Sequence, residues 1–276
     1  MALRQTTVLV IATVTLFAAA VASLAFGAVH IPASEVLDVL LGKGQPGPTR
    51  EIVEQLRLPR SVDAIVVGAA LGLAGVLLQG ALGNPLASPD IVGITGGAGF
   101  GAVLILLAFR VESAVAWMAG GLASDGWSGM DVAWPYFLVG FVLALLLARP
   151  LDRLALGDDV AASLGTRPRM VRLGAMVAAT VLASAAAALV GLLGFLGLVI
   201  PHLVRLAGGT NRHGFVMAGS MLVGAALLLA GDTVARVLAA PIATTVSLRS
   251  SATWRAALGK LAMSSIRYSG TRHCGA

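Results

Sequence analysis

The sequence predicts an all-α protein, a polytopic transmembrane helical bundle, and three observations carry that expectation. Of its 276 residues, 58% are apolar. Only 12% are charged, roughly half the share of an ordinary soluble domain and too little to cover a water-facing surface. Seven apolar windows of span-like length together hold half the chain. Composition excludes other classes as well. So much apolar surface does not stay disordered, and the 34 glycines follow no collagen-like period. The single cysteine, Cys274, leaves neither an intramolecular disulfide nor a Cys-based metal site.

Crossing a hydrocarbon core takes roughly 17–25 apolar residues in helical form, because backbone polar groups in lipid must be satisfied internally. In chain order the clear windows are Thr7–Val29, Val62–Leu82, Ile91–Phe109, Val171–Val190 and Phe215–Leu238. Ala133–Ala148 is short, and Leu192–Leu206 is interrupted by Pro201 and His202. The first window is longer than the apolar core of a secretory signal, so a retained span is expected over a cleaved leader. Between the windows, His30–Arg60 reads as the longest linker. Arg110–Trp134 is Gly-rich and carries Trp117, Trp127 and Trp134, a boundary residue type. Arg149–Arg172 is polar, and Ala243–Ala276 is a tail with five basic residues and no acidic one.

Small residues pattern the spans. Gly93, Gly97 and Gly101 are four apart, as are Gly68 and Gly72, a spacing that lets helix backbones approach closely. The competing reading, a nucleotide loop at Gly97–Gly101, lacks a following Lys-Ser/Thr and a strand-loop-helix context, so no ATP site is expected in this chain. Asp63 and Asp232 are acids within or at the ends of spans, near Arg60 and Arg236, which opens two readings: a pathway group or a helix-end ion pair. Gln79 is a span amide suited to interhelical hydrogen bonding or to substrate contact. His30, His202, His213 and His273 form no ligand-spaced group, and no catalytic constellation stands out. Arginines scattered among the spans do not make a nucleic-acid surface.

From Leu56-Arg-Leu-Pro-Arg60 onward the sequence resembles the FecCD family of ABC importer permeases. The resemblance continues through Gly68–Gly75, Gln79, Asn84-Pro85-Leu-Ala-Ser-Pro89 and Gly93–Gly101, then Trp117–Gly121 with Trp127. It extends over Leu156–Gly165, Gly194–Arg205 and Asp232–Arg236. It implies a multi-pass permease of the cell membrane that imports an iron-siderophore-type metal chelate by alternating access. The implied partners are ABC ATPase subunits, which bind the ATP, an extracytoplasmic substrate-binding protein, and a second permease copy or paralogue completing a dimer in the lipid bilayer. No cofactor, no metal and no nucleic acid is expected for this chain. Gly157, Asp159, Val160, Ala161, Ala162, Leu164 and Gly165 look like the family's ATPase-coupling loop. Arg57, Arg60 and Arg236 fall where the family faces acidic residues of the binding protein; interfacial snorkelling is the plainer reading. Gln79, Asn84, Pro85, Gly93, Gly97 and Gly101 belong to a pathway or packing motif. Lys/Arg counts at the two membrane faces give only a faint positive-inside bias, so orientation rests on the resemblance.

The pattern breaks twice. The family has ten spans and this chain offers seven, as though two spans and their link were missing between Phe109 and Val111. The family's character also ends after Pro241, which divides the chain into a permease domain, 1–242, and a basic tail, 243–276. That tail reads either as an interfacial helix with a Trp254, Leu258, Leu261 and Ile266 stripe or as out-of-frame translation. It also explains the charge. Residues 1–242 carry 14 basic and 13 acidic side chains, so five of the six net positive charges lie in the tail. Alternatives to transport by an ABC importer are a non-transporting remnant of the same family and an ion-driven transporter, although no internal repeat supports the latter.

Overall fold

Apolar windows become helices where the backbone has no water to bond to. The computed structural model describes residues 2–27, 31–43, 47–89, 126–191, 193 and 195–238, with isolated positions 93, 97, 100, 104 and 122. The expected span Ile91–Phe109 lies outside the described residues apart from four of those positions. So do Gly101, Trp117–Gly121, the break at 109–111 and the tail. Among the described residues the helices are α1 (Ala2–Ala25), α2 (Ala33–Leu40), α3 (Pro48–Leu82) and α4 (Ser128–Leu154). They continue with α5 (Asp158–Ser163), α6 (Pro168–Val190), α7 (Phe195–Gly208) and α8 (His213–Leu238). Five of them, α1, α3, α4, α6 and α8, are long and apolar enough to cross a membrane, and α7 is a shorter apolar helix. No described residue is in a strand.

Helix α3 is the axis of the bundle. It packs against α4, α6, α7 and α8, and its residues from Ala64 to Ala81 are nearly all buried. Its glycines explain how so many neighbours fit. A methyl group at Gly68 would strike the Gly224 carbonyl, and one at Gly224 would strike the Gly68 carbonyl. One turn on, a Cβ at Gly72 would lie 2.5 Å from the Ser220 carbonyl oxygen. The pair Gly68/Gly72 therefore faces the pair Gly224/Ser220, antiparallel and four apart on each helix, which is the close packing that the spacing predicts. On another face Gly75 sits against the Gly197 carbonyl of α7. Helix α7 thus begins beside Leu71–Gly75 of α3 rather than at its end. Gly191, at φ +78°, stops α6 before that start.

Two expectations need correction. The linker His30–Arg60 is largely helical: α2 lies within it and α3 begins at Pro48, well before the apolar window. Pro48 suits a first helical turn, where its missing N–H is unused, and Arg50 pairs with Glu54 at 2.9 Å one turn on. Ile52–Arg57 is a π-helical turn. It stands directly before Pro59, whose ring cannot accept an ordinary helical neighbour at Gln55, and the widened turn takes up the mismatch. The short window Ala133–Ala148 is in fact the 27-residue helix α4. Hydropathy falls at its charged ends, with Asp131 in the first turn and Arg153 in the last, but helix formation does not stop there. A third difference concerns Gly93. At φ +88° it is not a helix-face residue; its carbonyl accepts the first helical bond from Gly97 N–H, at 2.8 Å.

Replacing Gly75 by valine is expected to cost about 3 kcal/mol or more, because backbone stands where the side chain would go. Gly231→Ala, with no described atom within 4 Å of the added carbon, is expected to change stability by less than about 0.5 kcal/mol. Thermal unfolding of both variants in the same detergent checks the contrast.

Candidate functional site

Functional polar groups gather at the two ends of the bundle. At one end α5 projects as a knob. Gly157, at φ +103°, breaks the chain away from α4, and Asp158 and Asp159 occupy the positive first turn of α5. Gly165, at φ +75°, ends the helix: its N–H bonds the Ala162 carbonyl at 3.0 Å, and Thr166 N–H bonds the Ala161 carbonyl at 2.9 Å. That bond pair is a Schellman cap, which only a residue tolerant of positive φ can complete cheaply. Ala161 is fully buried and seats the knob; Asp159, Val160, Ala162 and Leu164 face outward. Leu156, Val160 and Leu164 are each at least 45% exposed, and of these Val160 lies on α5 and Leu164 at its C-cap, one turn on.

The knob is braced. Arg172 of α6 grips Asp158 with two bonds of 2.8 Å and also donates to the Ala81 carbonyl, at 3.2 Å, at the end of α3. Arg153 reaches Thr166 at 3.3 Å. Beside them the chain leaves α3 through Gly83 in the left-handed region, and the Asn84 side chain accepts Leu86 N–H at 2.9 Å. This turn exposes Asn84 and Pro85 and sends the chain back inward, so that Pro89 packs on Gly197. Deeper, Gln79 donates to the Leu198 carbonyl at 3.3 Å and accepts from Arg205, tying α3 to α7.

At the opposite end Arg57, Arg60 and Arg236 do come together, and most of their bonding is internal. Asp232 accepts Arg60 through both carboxylate oxygens, at 2.7–3.1 Å, and lies 2.9 Å from Arg236 Nε. Arg236 also donates to Ser23 Oγ at 2.7 Å, and Ser23 meets Ser61 at 2.9 Å, so α1, α3 and α8 are joined. Arg57 is 6% exposed and donates to the Leu24 and Ala25 carbonyls, capping the negative end of α1. Arg60 and Arg236 stay partly open, with side chains 24% and 17% exposed. Asp232 takes both arginines, while Asp63 Oδ1 is buried with no hydrogen bond among the described residues. Local spacing had placed Arg60 beside Asp63; it did not reveal Arg172, Arg205 or Ser23, whose partners are 14 to 213 residues away.

A family model described as the FecCD transport family matches residues 14–113 and 108–252. The chain belongs to the FecCD transport family. As a FecCD protein it is a multi-pass protein of the cell membrane. It is 29% identical over 300 residues to the Fe(3+)-citrate import system permease protein YfmE of Bacillus subtilis (strain 168), covering 87% of this chain and 89% of that one. To the ferric enterobactin transport system permease protein FepG of Escherichia coli (strain K12) it is 32% identical over 276 residues, covering 78% and 83%. A solved inward-facing transporter described as of the metal-chelate ABC type superposes with a TM-score of 0.71 at 27% identity, over 85% of this chain and 91% of that chain. Within this FecCD chain, the knob residues Gly157–Gly165 form one feature and the three arginines another. Gln79, Asn84 and Pro85 lie toward the knob. Gly93 and Gly97 stand apart from both clusters, and Gly101 lies outside the described residues.

Removing the shared acid of the arginine cluster is expected to leave two partly buried cations facing each other. Asp232→Asn should lower the apparent Tm by about 5–10 °C. Arg60→Gln added to it should cost less than Arg60→Gln alone, a non-additivity read from a double-mutant cycle.

Proposed function

We propose that this FecCD chain is the membrane-spanning permease subunit of an ABC importer for an iron chelate of the siderophore type, working by alternating access. The observation that carries the reading is the α5 knob: a short glycine-ended helix, braced by Arg172, that exposes Val160 and, at its cap, Leu164. Large apolar side chains exposed on a projecting helix suit a cleft in a partner. ATP-binding partner subunits gripping Val160 and Leu164 would move α5, and Arg172 carries that displacement to the end of α3. The α5 end is then cytoplasmic. At the other end Arg60 and Arg236 stand at the rim, where an acidic binding protein would meet them. Arg57, whose described bonds go to α1, holds the rim in shape. Iron chelates are the cargo that the relatives' names support, and a second permease copy or paralogue completes the path.

One observation favours a second reading, a remnant that keeps its docking surfaces and has lost transport. The alignment to the ferric citrate permease runs over 300 residues but uses 87% of 276, or about 240, so about 60 positions of that relative have no counterpart here. The two family matches meet at 108–113. About 60 residues suffice for two spans and a link. That reading agrees with α4 starting at the α2 end, since removing two spans preserves the side on which later helices begin.

Uptake separates the two. In cells lacking their own iron-chelate permeases but supplying ATPase and binding protein, the chain is expected to restore uptake of ferric citrate or a ferric siderophore. Val160→Asp with Leu164→Asp should lower that uptake about tenfold or more at equal membrane abundance, and Asp159→Ala with Gly165→Val should do likewise. Binding-protein docking without uptake is the remnant's signature.

A further inference from the structure

Beside the α5 end, α1, α4 and α8 enclose an open cavity of about 860 Å³ that neither the knob nor the arginine cluster explains. Its lining is ordered along the bundle axis. On α4 the cavity wall runs from Leu145 to Arg149 toward the α5 end. On α8 it runs from Phe215 to Arg212 in the same direction, and on α1 from Leu9 to Gln5. Three separate elements thus place polar groups at the water side and apolar groups toward the bilayer centre. Above Leu145 the exposed residues Val142 and Leu138 continue the apolar wall along α4.

The charges at the polar side are unequal. Asp152, the acid that lines the cavity, already accepts the backbone N–H of His213 at 2.7 Å and meets its ring Nδ1 at 2.9 Å. Arg149 and Arg212 are exposed, and among the described residues neither guanidinium has a hydrogen bond or an ion pair. Two unpartnered guanidinium groups above an apolar wall match an amphiphile with an anionic phosphate head, since a planar fork of donors binds phosphate oxygens in pairs. A transmembrane helix from a second copy fits less well, because it would cover both cations with apolar surface.

We propose that this cavity holds an anionic phospholipid of the adjoining leaflet, its phosphate between Arg149 and Arg212 and its acyl chains along Leu145, Leu9 and Phe215. None of the knob residues Gly157–Gly165 and none of the three clustered arginines lines the site. It wedges α1 against α4 and α8, where α1 has little protein contact of its own.

Native mass spectrometry of the full, delipidated chain with added phosphatidylglycerol or phosphatidylcholine tests the site. Phosphatidylglycerol should be retained in preference to phosphatidylcholine, and Arg149→Gln with Arg212→Gln should lower its retention about thirtyfold. Arg149→Lys with Arg212→Lys should keep most of it, and Lys43→Gln, at the other end, should change nothing. Equal retention of the two lipids, or of phosphatidylglycerol by the double Gln variant, overturns the proposal. Displacement of the lipid by millimolar inorganic phosphate overturns it in favour of a soluble anion. Loss of a dimer in the double Gln variant with unchanged lipid retention assigns the face to a second copy and also overturns it.

Discussion

Two helix backbones touch only where the facing residues are glycine or similarly small, and α3 arranges this on two faces. Gly68 and Gly72 meet Gly224 and Ser220 of α8, and Gly75 meets Gly197 of α7. In lipid the apolar surfaces of helices gain nothing by leaving the solvent, so dispersion between close backbones must supply much of the attraction. Everything else is registered to that contact. It fixes where α7 begins, brings Gln79 to the Leu198 carbonyl and Arg205, and sets Asp232 opposite Arg60 at one end and His213 beside Gly80 at the other.

The polar network follows from the same constraint. Cations that a bilayer would expel are retained where helix ends and carboxylates receive them. Arg57 caps α1, Arg4 donates to the Ala207 and Leu206 carbonyls at the end of α7, and Arg172 joins α3 to the knob. The result is a bundle with a stiff axis and two polar ends of different character. One end is a self-satisfied arginine cluster with modest exposure. The other projects the short helix α5, braced from behind by Arg172.

How much of this was legible depends on range. Helix existence, the packing use of Gly68 and Gly72, and a glycine-ended helix at Asp159–Gly165 are local matters, and short-range patterns reveal them. The helical start of α3 was hidden because polar residues at Pro48–Arg60 lower hydropathy without lowering helix propensity. Gly93 looked like part of a glycine face, since spacing carries no information about φ. Arg60 was read with Asp63, its sequence neighbour, whereas its carboxylate comes from Asp232, 172 residues away. The brace by Arg172 was invisible because one of its three bonds goes to the Ala81 carbonyl, which leaves no residue signature, and the other two go to Asp158 on a different helix.

The proposed function makes α5 the surface through which ATP-driven motion enters the bundle. Crosslinking tests it most directly, with Cys274 replaced and a single cysteine introduced at Val160 or, at the other end, at Leu37. Co-expressed with the ATPase of an iron-chelate importer, Val160→Cys is predicted to crosslink to the ATPase in membranes, and ATP is predicted to change the yield. Leu37→Cys should not crosslink to it. ATPase captured by Leu37→Cys and not by Val160→Cys would contradict both the orientation and the coupling role.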